Sequence, residues 1–128
     1  MIAGDLTPRD LPGAFADGLK ALIGIAPVSD REGVLQDIHW YDGLWGYFPT
    51  YTLGALIAAQ LFAAARAAIP GLAEEIGRGE FAPLFEWLRH NVHGQGSLLS
   101  TAELVESATG APLGSAAFER HLRERYLG

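Results

Sequence analysis

The 128-residue sequence contains no cysteine, a single lysine (Lys20) and a single methionine. Without cysteine there are no disulfides, no thiol nucleophile and no Cys-based zinc site, which fits a reducing cytoplasm. Lys20 falls on the polar side of a helical pattern, where a solvated ammonium is favoured over a Schiff-base amine. Positive charge is scarce: nine Lys and Arg stand against fifteen Asp and Glu, a net charge of −6. Nucleic-acid and anionic-membrane surfaces need clustered cations, so neither is expected as a partner. Long hydrophobic runs are also missing. The longest, residues 51–65, is only about fifteen residues and carries Gln60, so it reads as a buried helix and not as a membrane span. Residues 1–11 hold Asp5, Pro8 and Asp10 and lack the apolar stretch of a signal peptide. His-Glu-x-x-His, a Gly-rich phosphate loop and a Gly-x-Ser-x-Gly elbow are absent, so no complete catalytic set is visible from motifs alone.

What is present is an apolar fraction of 49% with dense helix punctuation. The length fits one domain with a real core, and 1–128 reads as a single helical domain. Asp10 and Pro12 open a helix whose Phe15, Leu19, Leu22 and Ile23 share one face, and Gly24 with Pro27 ends it. Ser29, three residues before Glu32, suggests a capping box for a short helix through Val34, Leu35 and Ile38. From Pro49 the pattern is strongly helical. The Ala-rich run 55–68 is apolar nearly all round and is expected to form the central, most buried helix. Pro70-Gly71 stops it. Shorter helices follow over 72–78, 81–92 and 101–109, the last with a capping box at Ser100 and Glu103 and a closing Gly110. A final helix starts at Ser115 and runs through Phe118, Leu122 and Tyr126. With no persistent strand alternation, the fold class is all-α: a multi-helix domain around the Ala-rich helix.

One segment is not explained by helix punctuation. His39-Trp40-Tyr41-Asp42-Gly43-Leu44-Trp45-Gly46-Tyr47-Phe48-Pro49 holds five aromatic residues broken up by two glycines. It reads as a loop with, at most, a short hairpin. Gln36, Asp37 and His39 precede or open it, and Tyr47 and Tyr51 lie downstream. Gln offers donor and acceptor together, neutral His does the same, and a Tyr hydroxyl can donate to a developing oxyanion. Two readings fit this cluster: polar substrate recognition, or an aromatic core plug with satisfied polar groups. Elsewhere, Glu86, His90 and His93 fall at i, i+4 and i+7 on one helix face. That set is short of a metal site without a further ligand. His121, between Arg120 and Arg123, reads as surface.

Gly33-Val34-Leu35-Gln36-Asp37-Ile38-His39-Trp40 resembles the Gly-x-x-Gln-Asp-x-His-Trp signature of the carboxypeptidase Taq family of metallocarboxypeptidases at every fixed position. Gly46-Tyr47-Phe48-Pro49-Thr50-Tyr51-Thr52-Leu53-Gly54 is similar to the stretch that follows it. Gly4-Asp5-Leu6 and Asp10-Leu11-Pro12 upstream, and Phe81-Ala82-Pro83-Leu84, Trp87-Leu88, His93 with Gly96, and Glu103-Leu104 through Thr109-Gly110 downstream, continue the resemblance over nearly the whole chain. It implies a large helical enzyme that removes amino acids one at a time from peptide C-termini. Such enzymes use zinc or cobalt held by a His-Glu-x-x-His helix and a later Glu, and are typically cytoplasmic homodimers.

This chain lacks the metal motif, so it resembles only the C-terminal part of such an enzyme, with no metal ligands or cofactor of its own. By position, His39 and Tyr51 are the expected catalytic pair, contacting the scissile carbonyl and stabilising its oxyanion. Gln36, Asp37, Trp40 and Tyr47 are the expected substrate-binding residues, with Asp37 supporting the loop and Trp40 building a wall. The implied partners are a peptide C-terminus, the missing N-terminal metal-binding part and a second copy of the chain. The alternative is a stand-alone peptide-binding or oligomerisation module built on the same fold. A piece of a larger helical body would expose apolar surface that its missing part covers.

Overall fold

A computed structural model describes Met1 and residues 3–128. Among these residues there are seven α-helices, three short 3-10 turns and no strand. The chain divides into two compact units, Met1–Phe48 and Pro49–Gly128.

In the first unit, α1 spans Leu11–Ile23. Pro12 in its first turn suits a position where the amide has no helical partner, and Asp10 stands at the N-cap. The Asp10 carboxylate does not cap the helix. It accepts hydrogen bonds from the Thr7 amide (2.9 Å) and hydroxyl (2.6 Å) instead. The stripe expected to pack is covered only at its start. Phe15 and Leu19 are partly buried, whereas Leu22 and Ile23 are exposed. The single helix expected after Ser29 is replaced by two 3-10 turns, Asp30–Glu32 and Val34–Gln36, and the Ser29 side chain makes no capping bond. Gly33 is the reason. It lies so close to Pro27 that a Cβ there would sit 2.9 Å from the proline Cγ. Its φ of −116° and ψ of −118° take the chain out of helical geometry after one turn. The aromatic segment forms no hairpin. It opens with the short helix α2, Ile38–Tyr41, and continues as turns through Gly43 and Gly46, both at positive φ. Left-handed backbone there breaks any strand and is tolerated because glycine has no Cβ.

In the second unit, α3 spans Pro49–Ala68, α4 Leu72–Gly77, α5 Ala82–Asn91, α6 Thr101–Thr109 and α7 Ala116–Tyr126. α3 is the axis: α4, α6 and α7 all pack on it. The small side chains of its Ala-rich part allow close approach, and Ala65 is wholly buried. Leu72 and Val105 complete the core. Burial of α3 is one-sided, because its neighbours cover only its later turns, and Pro49–Gly54 are exposed. By length and composition α3 is apolar enough to cross a membrane. In this unit it serves as the packing surface for α6 and α7. α6 is bounded as the sequence indicates. The Ser100 hydroxyl accepts from the Glu103 amide, the Glu103 carboxylate accepts from the Ser100 amide (2.8 Å), and Gly110 closes the helix. This reciprocal pair satisfies two helix-end donors at once.

Candidate functional site

Asp37 organises the signature segment. It is the N-cap of α2, and its Oδ1 accepts from the His39 amide at 2.9 Å and from His39 Nδ1 at 2.6 Å. Its Oδ2 accepts from the Trp40 indole N–H. An aspartate at an N-cap naturally meets the amide two residues on. Here the same carboxylate also captures the two ring donors of the first helical turn. An ionised carboxylate only accepts, so Nδ1 carries the proton in this pair.

The electrostatics follow from those contacts. Partial burial pushes the Asp37 carboxyl upward. The hydrogen bonds from the His39 ring and amide and from the Trp40 indole, with the attraction of a charged His39, outweigh that and hold it below its ordinary value. The His39 ring itself is largely covered, at 13% side-chain exposure. Phe48 meets it edge-on at 4.9 Å between centroids, and Tyr47 lies tilted at 5.5 Å. Trp40 packs edge-on against Trp45 at 5.0 Å. The turn that brings these rings back is tied down by backbone bonds from the Leu44 amide to the His39 carbonyl (2.9 Å) and from Tyr47 to Leu44 (3.2 Å).

Of the six residues expected from sequence, Asp37, His39, Trp40 and Tyr47 therefore form one connected group. Gln36 is turned away from it: its side-chain amide donates to the Arg31 carbonyl, bracing the 3-10 turns. Tyr51 lies in the first turn of α3, in the second unit, and is exposed. Sequence reasoning gave no role to Trp45 and Phe48, which wall in Trp40 and His39. The only signal was their density beside glycines, since their packing depends on the Gly43 and Gly46 turns. It also missed Gln60. Its side-chain amide donates to Thr109 Oγ1 (3.0 Å) and to the carbonyls of Ala111 (3.0 Å) and Pro112 (3.1 Å), and its oxygen accepts from the Gly114 amide (3.1 Å). A lone amide inside a fifteen-residue apolar run was the available clue, because a polar group buried there needs partners.

The Glu86, His90 and His93 set does not hold together. α5 ends at Asn91, and His93 belongs to the following 3-10 turn, His93–Gln95. Glu86 and His90 line an open groove beside Phe85 and Arg89, without His93. Among the described residues, no three His, Asp or Glu side chains converge as a metal-holding group. Among the described residues, a metal of the kind the resemblance implies meets no group of ligands.

The chain matches the family model for carboxypeptidase Taq (M32) metallopeptidase over residues 1–126. It is 43% identical over 126 residues to thermostable carboxypeptidase 1 of Thermus thermophilus, covering 98% of this chain and 25% of that protein. Metallocarboxypeptidase 1 of Trypanosoma cruzi superposes with a TM-score of 0.93 at 34% identity, over 99% of this chain and 27% of the other. The M32 carboxypeptidase of Deinococcus radiodurans superposes with a TM-score of 0.91 at 41% identity, over 98% and 25%. The chain thus spans about a quarter of the length of these relatives. With its sequence and its helical path both shared with solved members, the chain belongs to the carboxypeptidase Taq (M32) metallopeptidase family.

Proposed function

We propose that this chain is the C-terminal portion of a metal-dependent carboxypeptidase that releases C-terminal amino acids from peptides. Alone it is inactive, because a water made nucleophilic at neutral pH needs a metal and a base beside it, and the ligand set for that metal lies outside this chain. Zinc or cobalt is the expected ion of the whole enzyme. This portion supplies groups that bind and polarise the substrate. The observation that carries this reading is the Asp37 hub. One carboxylate fixes His39 and Trp40 together within the stretch that carries the family signature.

In this reading His39, doubly protonated with Nδ1–H held by Asp37 and Nε2–H turned to the substrate, and Tyr51 donate to the oxygen of the scissile carbonyl as negative charge develops on it. Preorganised donors of this kind act on the transition state more than on the bound substrate. Asp37 is a positioning residue that holds the His39 Nδ1–H, fixing the orientation of the ring and favouring its charged form. Trp40 and Tyr47 form the wall along which the peptide lies, and Gln36 steadies the turn that presents them. The complete enzyme is proposed to be a cytoplasmic homo-oligomer.

The test is reconstitution. Neither this chain nor a polypeptide carrying the metal-binding part should release C-terminal residues alone, and mixing them should restore release, followed by chromatography of the freed amino acids. His39→Ala and Tyr51→Phe should each lower the recovered kcat by about 10²–10³-fold. A folded, metal-loaded partner that binds this chain but gives no hydrolysis would overturn the reading.

A further inference from the structure

The second unit, Pro49–Gly128, holds a groove between α3 and α7 with a volume of about 370 Å³. That is the lower end of the range for small-molecule sites, ~300–1,000 Å³. Its walls follow helix geometry. α3 contributes positions 59, 62, 63, 66 and 67, and α7 contributes 117, 120, 121 and 124. Both sets step by three and four, so each is one helix face. Four of these positions are alanine, which leaves the groove hollow. Phe62 is the one large apolar side chain on the walls, 39% exposed.

The charges of this groove differ from those of the chain as a whole. Arg66 comes from α3, and Arg120, His121 and Glu124 come from α7, all at the solvent edge. With His121 counted as neutral, two guanidiniums stand against one carboxylate. That is a local positive surplus in a chain of net charge −6. Among the described residues, neither Arg66 nor Arg120 forms an ion pair. Arg120 and Glu124 lie one helical turn apart, but arginine ahead of glutamate is the weaker order for an i, i+4 pair. Both cations and the Glu124 carboxylate are therefore available to a ligand.

We propose that this groove binds a free α-amino acid with an apolar side chain. Arg66 and Arg120 clamp its carboxylate, because a planar guanidinium fork matches two carboxylate oxygens. Glu124 takes the ammonium, and the side chain lies on Phe62 and the alanines. Other small ligands match this pattern less well. Two guanidiniums repel a metal ion. A phosphate would set its own negative charge against Glu124, and an uncharged apolar molecule would leave both arginines unused. The site lies wholly within the second unit, uses none of the residues assigned to hydrolysis and does not rest on the peptidase reading. Under that reading the ligand belongs to the class of molecule that the enzyme releases.

Amide NMR spectra of this chain test the proposal, with L-leucine as the probe. Leucine should shift the amides of residues 59–67 and 117–124 and leave those of α5 in place. A dissociation constant on the order of 1 mM is expected for so small a ligand. Leucinamide, which has no carboxylate, and N-acetylleucine, which has no ammonium, should each bind at least about tenfold more weakly. Arg66→Gln and Arg120→Gln should each weaken leucine binding about tenfold. Glu124→Gln should weaken leucine about tenfold and leave N-acetylleucine unchanged, a difference that loss of the fold would not produce. No shift at about 10 mM leucine overturns the proposal. Leucinamide binding as tightly as leucine removes the clamp and overturns it too. N-acetylleucine binding as tightly as leucine, or inorganic phosphate displacing leucine at equal concentration, reassigns the groove to anions in general and likewise overturns it. Nothing is hydrolysed in this measurement, so its failure leaves the peptidase reading untouched.

Discussion

Asp37 and Gln60 are both polar hubs, and they do opposite work. Gln60 sits in the middle of α3, 9% exposed, and reaches residues 49 to 54 positions away. It pins the strand-free connection after α6 to the axis of the second unit. Asp37 reaches only two and three positions along the chain and stays partly open to solvent. It closes no tertiary distance but sets the orientation of two rings. A hub with distant partners holds a fold together, whereas a hub with near neighbours holds a site together. Damage to the first should therefore show in the free chain, and damage to the second only in the assembled enzyme.

The largest effect is expected at Gln60. Gln60→Leu keeps the bulk but leaves the Pro112 carbonyl and the Gly114 amide without their side-chain partner, while the Ala111 carbonyl keeps the Thr109 hydroxyl. A buried polar group left unsatisfied costs ~1–3 kcal/mol, so the second unit should lose about 3 kcal/mol, on the order of 10² in its folding equilibrium. Chemical denaturation of the free chain, followed by helical circular dichroism, measures this. A loss below about 1 kcal/mol would mean that water replaces the lost contacts and that Gln60 is no hub.

Gly33→Ala is next. The added Cβ would meet the Pro27 ring at 2.9 Å and the Ser29 carbonyl at 3.3 Å. Crowding of this kind costs ~1–3 kcal/mol, so assembly with the metal-bearing part should weaken by roughly 30-fold. The denaturation midpoint of the second unit should not move. Titration of the labelled partner reads the first quantity and circular dichroism the second. An unchanged affinity would show that the Pro27 ring moves aside at no cost.

How much of this was legible in the sequence turns on the same distinction. The bounds of α6 follow from Ser100, Glu103 and Gly110, because capping is settled by atoms three or four residues apart. Ser29 and Glu32 have the same spacing and form no such cap, because Gly33 lies against Pro27 and leaves helical geometry. Spacing cannot reveal that contact. The Asp37–His39 pairing was readable, since an aspartate at a helix start meets the amide two residues on. Trp45 and Phe48 as the walls of Trp40 and His39 were not, for their positions depend on left-handed turns at Gly43 and Gly46. The stripe on α1 was read correctly as apolar. Its cover was not predictable, because none of the described residues of the first unit buries Leu22 or Ile23.

Asp37→Asn acts on the site and spares the fold. An aspartate accepts from the His39 amide, the His39 ring and the Trp40 indole at once. An asparagine has one acceptor oxygen and turns its N–H₂ toward one of those donors. The expected outcome in the assembled enzyme is a His39 ring that loses the carboxylate favouring its charged form, visible in imidazole ¹⁵N shifts, with kcat down about tenfold or more and KM little changed. Unaltered ring shifts would remove Asp37 from its positioning role even if activity fell.

The smallest effect is the pH dependence of the same hub, and its sign is fixed by the direction in which Asp37 is displaced. The carboxyl is held below its ordinary value in the folded state, so the folded form binds a proton less readily than the unfolded one. Its stabilising contribution is then complete above the ordinary aspartate value, near pH 3.9, and is lost as pH falls through the lower folded value. In the assembled enzyme the Trp40 indole N–H resonance should hold its position from neutrality down to about pH 4 and move only below it. The carboxylate accepts that proton until it is itself protonated. Asp37→Asn should abolish the transition. A shift of the indole resonance at pH 5 or above would instead place the controlling charge on another group, and would leave Asp37 as a helix cap without the reach into the site that separates it from Gln60.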